Sequence, residues 1–214
     1  MTHKPTLPAG LYALIDDSVR TDLTMLQKAR AVIGAGVGVL QLRLEKTADR
    51  PALELIRQVV AEAILTKVIV NDRVDLALLG GAHGVHLGAD DLPVGLARKL
   101  LGPAALIGAT TRSLTQIEQA RDEGADHVGL GPIFSTRTKQ VEHPPMGVAA
   151  FAEIVARSPL PVVGIAGITL ETIGDVARVG AHAAAVAGDL LNAGDVTTRA
   201  RQLSAAFELG RQRR

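Results

Sequence analysis

Eight short apolar runs recur along the chain, and most are followed by a longer stretch in which apolar positions return every three or four residues. The short runs are Leu11–Ile15, Val37–Leu42, Val68–Val70, Gly84–Leu87, Ala105–Ala109, His127–Gly131, Val162–Ile165 and Ala183–Ala187. Most are apolar throughout instead of alternating, as expected of parallel strands covered on both faces. Helical periodicity marks Leu23–Ile33, Ala52–Leu65, Val94–Leu101, Leu114–Glu123, Val148–Ala156, Thr172–Val179 and a closing Val196–Leu209; only the link around Val74–Leu79 is short. Several helix–strand joints carry similar punctuation: Gly34-Ala35-Gly36, Gly80-Gly81-Ala82, Gly124-Ala125-Asp126 and Gly180-Ala181-His182. Glycine just past a helix takes the left-handed conformation that ends it. Eight strands in 214 residues leave about 27 residues per unit, compact but sufficient for a single (β/α)8 TIM barrel of the α/β class. A doubly wound sheet is the competing arrangement. The domain reading is an N-terminal extension over 1–10, a barrel over 11–209 and a basic C-terminal tail over 210–214.

Composition narrows the function more than the fold. Hydrophobic residues make up 47% and charged residues 21%, an ordinary globular balance. The formal net charge of +1 and the near absence of aromatic residues argue against a nucleic-acid partner. With no cysteine, thiolate metal sites, disulfides and thiol nucleophiles are excluded. The longest stretch without Asp, Glu, Lys or Arg, Leu76–Ala89, has 14 residues, against the roughly 20 that a membrane-spanning helix needs. Met1–Gly10 has no apolar core of a signal peptide. The expectation is a cytoplasmic protein with no membrane partner.

In a barrel, function belongs to the carboxyl ends of the strands. Polar residues gather there: Gln41 and Arg43, Asn71 and Asp72, Asp90 and Asp91, Thr110 and Thr111, then Ser135–Lys139. The opposite joints carry mostly Gly, Ala and Pro. Asp72 and Asp91 follow neighbouring strands and suit a hard divalent cation such as Mg2+, although spacing alone favours the plainer reading, in which Asp72 pairs with Arg73 or caps the segment beginning at Val74 and Asp91 caps the helix at Val94. Thr136, Thr138 and Lys139 lie in a long loop that suits phosphate, or a solvated connection. Gly167, Ala187 and Gly188 follow the last two strands, where many barrels bind phosphate through backbone amides; a tight turn is the plainer reading. None of the six histidines shows metal-ligand spacing. His86 points into the barrel or its mouth, and His127 and His182 stand at strand starts, away from the rim.

Together the segments Gln41-Leu42-Arg43, Val70–Ala77, Gly84–Pro93, Gly124–Phe134, Thr136–Lys139 and Pro161–Ile168 resemble the thiamine phosphate synthase (thiamine-phosphate pyrophosphorylase) family, in family order and over most of the chain. The resemblance implies a transferase of thiamine biosynthesis built on a (β/α)8 barrel. It would join 4-amino-2-methyl-5-hydroxymethylpyrimidine diphosphate to a thiazole phosphate and release pyrophosphate by a dissociative substitution. It assigns Asp72 and Asp91 to Mg2+, and Gln41, Arg43, Asn71 and Lys139 to the diphosphate or the pyrimidine. Thr110 stands for the family's usual Ser, while Thr136 and Thr138, with Gly167, fall near the thiazole phosphate. Arg43, Thr110 and Lys139 are the residues it makes catalytic. Partners are then the two small-molecule substrates, with a homodimer left open.

Four positions depart from the family pattern. Glu45 stands where a lysine is usual, with Lys46 next to it; Ala89 replaces a common Gln, Ala166 one glycine of a Gly-Gly turn, and Gly188 a frequent Ser. If the second strand continues, residues 41, 43 and 45 share a face and Lys46 points away. A thiazole tautomerase-like isomerase, or a non-catalytic thiazole or thiamine phosphate-binding barrel, are the alternatives these departures raise.

Overall fold

The structure is a computed structural model that describes residues 6–136 and 143–214. All eight expected strands form: β1 Gly10–Asp16, β2 Val39–Arg43, β3 Lys67–Asn71, β4 Gly84–Leu87, β5 Leu106–Thr111, β6 His127–Leu130, β7 Val162–Gly164 and β8 Ala183–Val186. They pair in parallel in chain order, and β8 returns to β1. That closure eliminates the doubly wound alternative.

Helices follow the strands: α1 Met25–Gly34, α2 Asp49–Glu62, α3 Val74–Gly80, α4 Val94–Leu101, α5 Leu114–Asp122, α6 Gly147–Val155, α7 Ile173–Arg178, α8 Gly188–Leu191 and α9 Val196–Gln212. The short link at Val74 is thus a helix of two turns, too brief to display a period, and it fills the place of the barrel's third helix. Local chemistry sets several starts. Thr24 and Gln27 form a reciprocal capping box on α1, while Ser113 and Asp195 cap α5 and α9 through their side chains. Helix α9 runs past Leu209 to Gln212, so part of the basic tail is helical.

Alternation along the strands separates two apolar shells. Ile15, Leu40, Leu42, Val68, Val70, Val85, Ile107 and Val128 face the helices in the larger one. Inside the barrel lie Tyr12, Val39, Ile69, Leu106, Val163, Ala183 and Ala185, together with Leu7. Leu7 is 5% exposed, and its carbonyl lies 2.7 Å from His182 Nε2 beside the start of β8. The described end of the N-terminal extension is therefore part of the barrel floor.

Two imidazoles occupy the interior above that floor. His127 is completely buried, with ring centroids 6.1 Å from Tyr12 and 5.8 Å from His86. Gly108 makes this possible, because a Cβ there would sit 2.5 Å from His86 Nδ1 and closer still to His127 Nε2. Burial pushes the His86 pKa down to about 4, with the Arg43 charge acting in the same direction and Asp91 opposing it. Burial likewise pushes the His127 pKa well down, with smaller contributions in the same direction from His86 and His182.

Candidate active site

Above the apolar floor, the inward positions of the strands turn polar. Gln41 is buried and donates from Nε2 to the Tyr12 hydroxyl at 2.9 Å. Burial raises the Tyr12 phenol pKa, so this hydroxyl stays protonated. Two residues on, Arg43 closes β2 and is 9% exposed. Its Nη1 faces Asp16 Oδ2 at 3.4 Å and its Nη2 donates to Glu45 Oε1 at 2.9 Å. Arg43 Nε is buried without a hydrogen-bond partner among the described residues. On the neighbouring strands, Asn71 pairs in register with His86, and His86 Nε2 lies 3.0 Å from the Thr110 hydroxyl. Because His86 is held neutral, one of its nitrogens remains an acceptor available to a hydroxyl.

The two carboxylates expected to hold a metal lie on adjacent loops. Asp72 has φ 61°, a left-handed conformation that a non-glycine residue rarely adopts, and such outliers gather at functional sites. Its amide donates to the His86 carbonyl at 2.8 Å, and its Oδ2 accepts from Asn71 Nδ2 at 2.6 Å. Asp91 folds back to accept the Gly88 amide at 2.6 Å, while the cap position of α4 is Pro93 and has no side-chain cap. The plainer reading of Asp91 as a helix cap is therefore set aside. Arg73 is engaged by Asp49 and Asp75, each at 2.7 Å.

Among the described residues no three His, Cys, Asp or Glu side chains cluster as a closed metal cage. Two oxygen-donor side chains on one rim nevertheless fit a hard cation that keeps waters and shares its shell with substrate phosphates. Mg2+ is such a cation, and Asp72 and Asp91 are the residues that would hold it.

At the far side of the rim, the chain after β6 lies across the turn after β7. Ile133 and Phe134 donate their amides to the carbonyls of Ile165 and Ala166 at 3.0 and 3.2 Å. Ala166 and Gly167 both have left-handed backbones, with φ 72° and 69°. Ala166 thus holds a left-handed backbone that glycine adopts more readily. A Cβ on Gly167 would lie 2.7 Å from Phe134 Cβ and nearer still to the Ser135 carbonyl oxygen. Gly188 opens α8 directly after Ala187, and the Leu170 amide donates to Asp189 at 3.3 Å, tying the last two loops together. Thr136 is half-buried at the end of this described stretch. Thr138 and Lys139 lie outside the described residues.

The expectation for Glu45 needs correction. Strand β2 ends at Arg43, so strand alternation no longer governs residue 45. Glu45 leaves the barrel wall, is half exposed and pairs with Arg43, while the Lys46 amide donates to Asp17 Oδ2 at 2.8 Å. Sequence reasoning also passed over Asp16. It is 5% exposed, shares the inward face of β1 with Tyr12 and Leu14, and pairs in register with Arg43. The alternation 12, 14, 16 at a strand's carboxyl end was the signal that could have found it.

Fold and rim together define a class: a (β/α)8 barrel whose polar mouth joins one buried guanidinium, a hydroxyl–imidazole pair and two carboxylates on adjoining loops. Comparison with known proteins specifies the class further. The family model described as Thiamine monophosphate synthase matches residues 11–190, and the chain belongs to this family. It is 50% identical over 210 residues to a thiamine-phosphate synthase of Myxococcus xanthus (strain DK1622), covering 97% of this chain and 96% of that protein. A thiamine-phosphate synthase of Anaeromyxobacter dehalogenans (strain 2CP-C) is 48% identical, covering 96% of this chain and 90% of that protein. Among solved structures, the thiamine phosphate pyrophosphorylase from Pyrococcus furiosus superposes with a TM-score of 0.84 at 29% identity, covering 94% of this chain and 96% of that chain. No helix among the described residues is long and apolar enough to cross a membrane.

Proposed function

We propose that this chain is a Mg2+-dependent thiamine phosphate synthase that joins 4-amino-2-methyl-5-hydroxymethylpyrimidine diphosphate to 4-methyl-5-(2-phosphooxyethyl)thiazole. The observation that carries this reading is the convergence of Gln41, Arg43, Asn71, His86 and Thr110 on one barrel mouth, beside Asp72 and Asp91. In the reaction, the bond between the pyrimidine methylene carbon and the diphosphate oxygen breaks, and the electron pair leaves with pyrophosphate. The thiazole nitrogen then supplies the pair for the new carbon–nitrogen bond, giving thiamine phosphate.

The residues divide this work according to their surroundings. Arg43, already buried, meets the diphosphate with a preoriented fork that needs little reorganisation as negative charge grows on the leaving group. Asn71 and the neutral His86–Thr110 pair offer uncharged hydrogen bonds, which suit a heterocycle better than another charge would. Gly167 brings a backbone amide close to the second substrate's phosphate, with Thr136, Ala187 and Gly188 on the same side. Lys139 and Thr138 are assigned by family resemblance to the diphosphate and the thiazole phosphate. Asp72 and Asp91 would hold Mg2+, which would supply positive charge to stabilise a pyrophosphate leaving group. The same charge would offset the two carboxylates, which lie on the rim an anionic substrate must approach.

The test is thiamine phosphate formation by the purified chain from both substrates, with Mg2+ and then with EDTA. Metal-dependent release of product and pyrophosphate in equal amounts is expected, and Asp72→Ala is expected to abolish it while the protein still melts cooperatively. Retained turnover in Asp72→Ala removes the metal assignment. Absence of product from the parent protein, with thiazole phosphate still bound, overturns the synthase reading.

A further inference from the structure

The two carboxylates that hold Arg43 are anchored very differently. Asp16 is fixed from several directions. Its Oδ1 accepts from the Ser18 amide at 2.8 Å and from the Ser18 hydroxyl, and its backbone carbonyl accepts from the buried Lys28 amine at 3.0 Å. Lys28 is 1% exposed and also donates to the Val19 carbonyl, so the whole turn after β1 is pinned. Asp17 then reaches across to the loop after β2, accepting from the Lys46 amide at 2.8 Å and the Thr47 hydroxyl at 2.9 Å. That contact fixes where Glu45 emerges but leaves its side chain in water.

Glu45 has Arg43 as its sole polar partner among the described residues, and its side chain is 53% exposed against 7% for Asp16. Removing Asp16 from the guanidinium would strand a buried charge, which is costly; moving Glu45 aside only returns an exposed carboxylate to solvent. An incoming diphosphate therefore meets, at Nη2, a partner that can be moved at low cost, while Nη1 stays with Asp16.

We propose that Glu45 is a displaceable counter-ion on Arg43 that sets how tightly the site holds a diphosphate. The inference rests on the reading of Arg43 as a diphosphate ligand. With Glu45 in place, only the fraction of molecules whose guanidinium edge is open binds at full strength, and the apparent affinity falls by that fraction. With Glu45 reaching into water, the pair has the strength of a surface ion pair, a factor of about twofold to fivefold. The lysine usual in the family at this position would add an attraction, whereas Glu45 places a competitor.

Titration calorimetry of the full chain with inorganic pyrophosphate and Mg2+ tests this, using the parent protein, Glu45→Gln, Arg43→Gln and the double variant. Glu45→Gln is expected to bind pyrophosphate about twofold to fivefold more tightly. Arg43→Gln is expected to bind it more weakly, and adding Glu45→Gln to Arg43→Gln should then change nothing. Thermal melts establish that all four proteins are folded. If Arg43→Gln weakens binding but Glu45→Gln does not strengthen it, the counter-ion inference fails while the Arg43 reading stands. A gain from Glu45→Gln that persists without Arg43 also overturns it, since the effect would then be a general field. If Arg43→Gln leaves binding unchanged, the Arg43 reading falls and Glu45 with it.

Discussion

Gly167→Ala perturbs the point where two rim loops meet, and its cost can be worked from two separate terms. The first is conformational: φ is 69°, and a left-handed residue with a Cβ costs about 1–2 kcal/mol, partly offset by the smaller entropy of the unfolded chain. The second is contact. The new methyl would meet Phe134 and the Ser135 carbonyl oxygen, which belong largely to backbone and cannot swing away like a flexible side chain. Overpacking of this kind costs about 1–3 kcal/mol. Gly81 supplies an internal control, because it has the same φ of 69° and nothing within 4 Å of its absent Cβ.

Gly81→Ala should therefore report the conformational term alone, about 1 kcal/mol, and Gly167→Ala the sum, about 2–4 kcal/mol. For a chain of this size these correspond to melting-point losses of about 2–4 °C and roughly 5–15 °C. Denaturant titration and melting of both variants measure the difference. Relief of the clash must move Phe134 and Ser135, and Thr136 follows them, so Gly167→Ala should also raise KM for the thiazole phosphate while Gly81→Ala leaves it unchanged. Equal destabilisation by the two substitutions would refute the contact argument, and with it the close meeting of the loops after β6 and β7.

Two further outcomes follow from the buried imidazoles. His86 is held neutral by a pKa pushed down to about 4, so the unfolded chain binds more protons than the folded one between about pH 4 and 6.5. Stability is fully present above about pH 6.5 and is lost as pH falls, by about 2 kcal/mol for His86 at pH 5, with His127 adding in the same direction. Denaturant titrations at pH 7.5 and pH 5 check this, and equal stabilities would sink it. Thr110→Val removes the hydroxyl 3.0 Å from His86 Nε2 at nearly constant shape and should cost about 1–3 kcal/mol together with turnover. Thr110→Ser should retain most of both; if the valine variant matches the serine variant in rate and stability, the pair has no role.

Much of this protein was legible before any coordinates. A parallel sheet covered on both faces writes continuous apolar strands, and glycine ends helices for local steric reasons, so strand number, order and barrel class can be read from residue type and spacing. The same logic located Gln41, Arg43, Asn71, Asp72, Asp91 and Thr110 at strand ends, because a barrel concentrates polar residues there. What lay beyond reach depended on where a local rule stops. Alternation placed Glu45 on the inward face, but it holds only while the strand continues, and β2 ends two residues earlier. Helix α3 is too short to show a period, so only packing against its neighbours reveals it. The pairings Asp16–Arg43, Gln41–Tyr12 and His86–Thr110 join residues on different strands. Their existence depends on register and barrel closure, which set what each inward side chain faces. Composition and local periodicity thus determine that there is a barrel with a polar rim. Tertiary closure alone decides which charges on that rim are pinned, which imidazoles are neutral, and which carboxylate remains free to move.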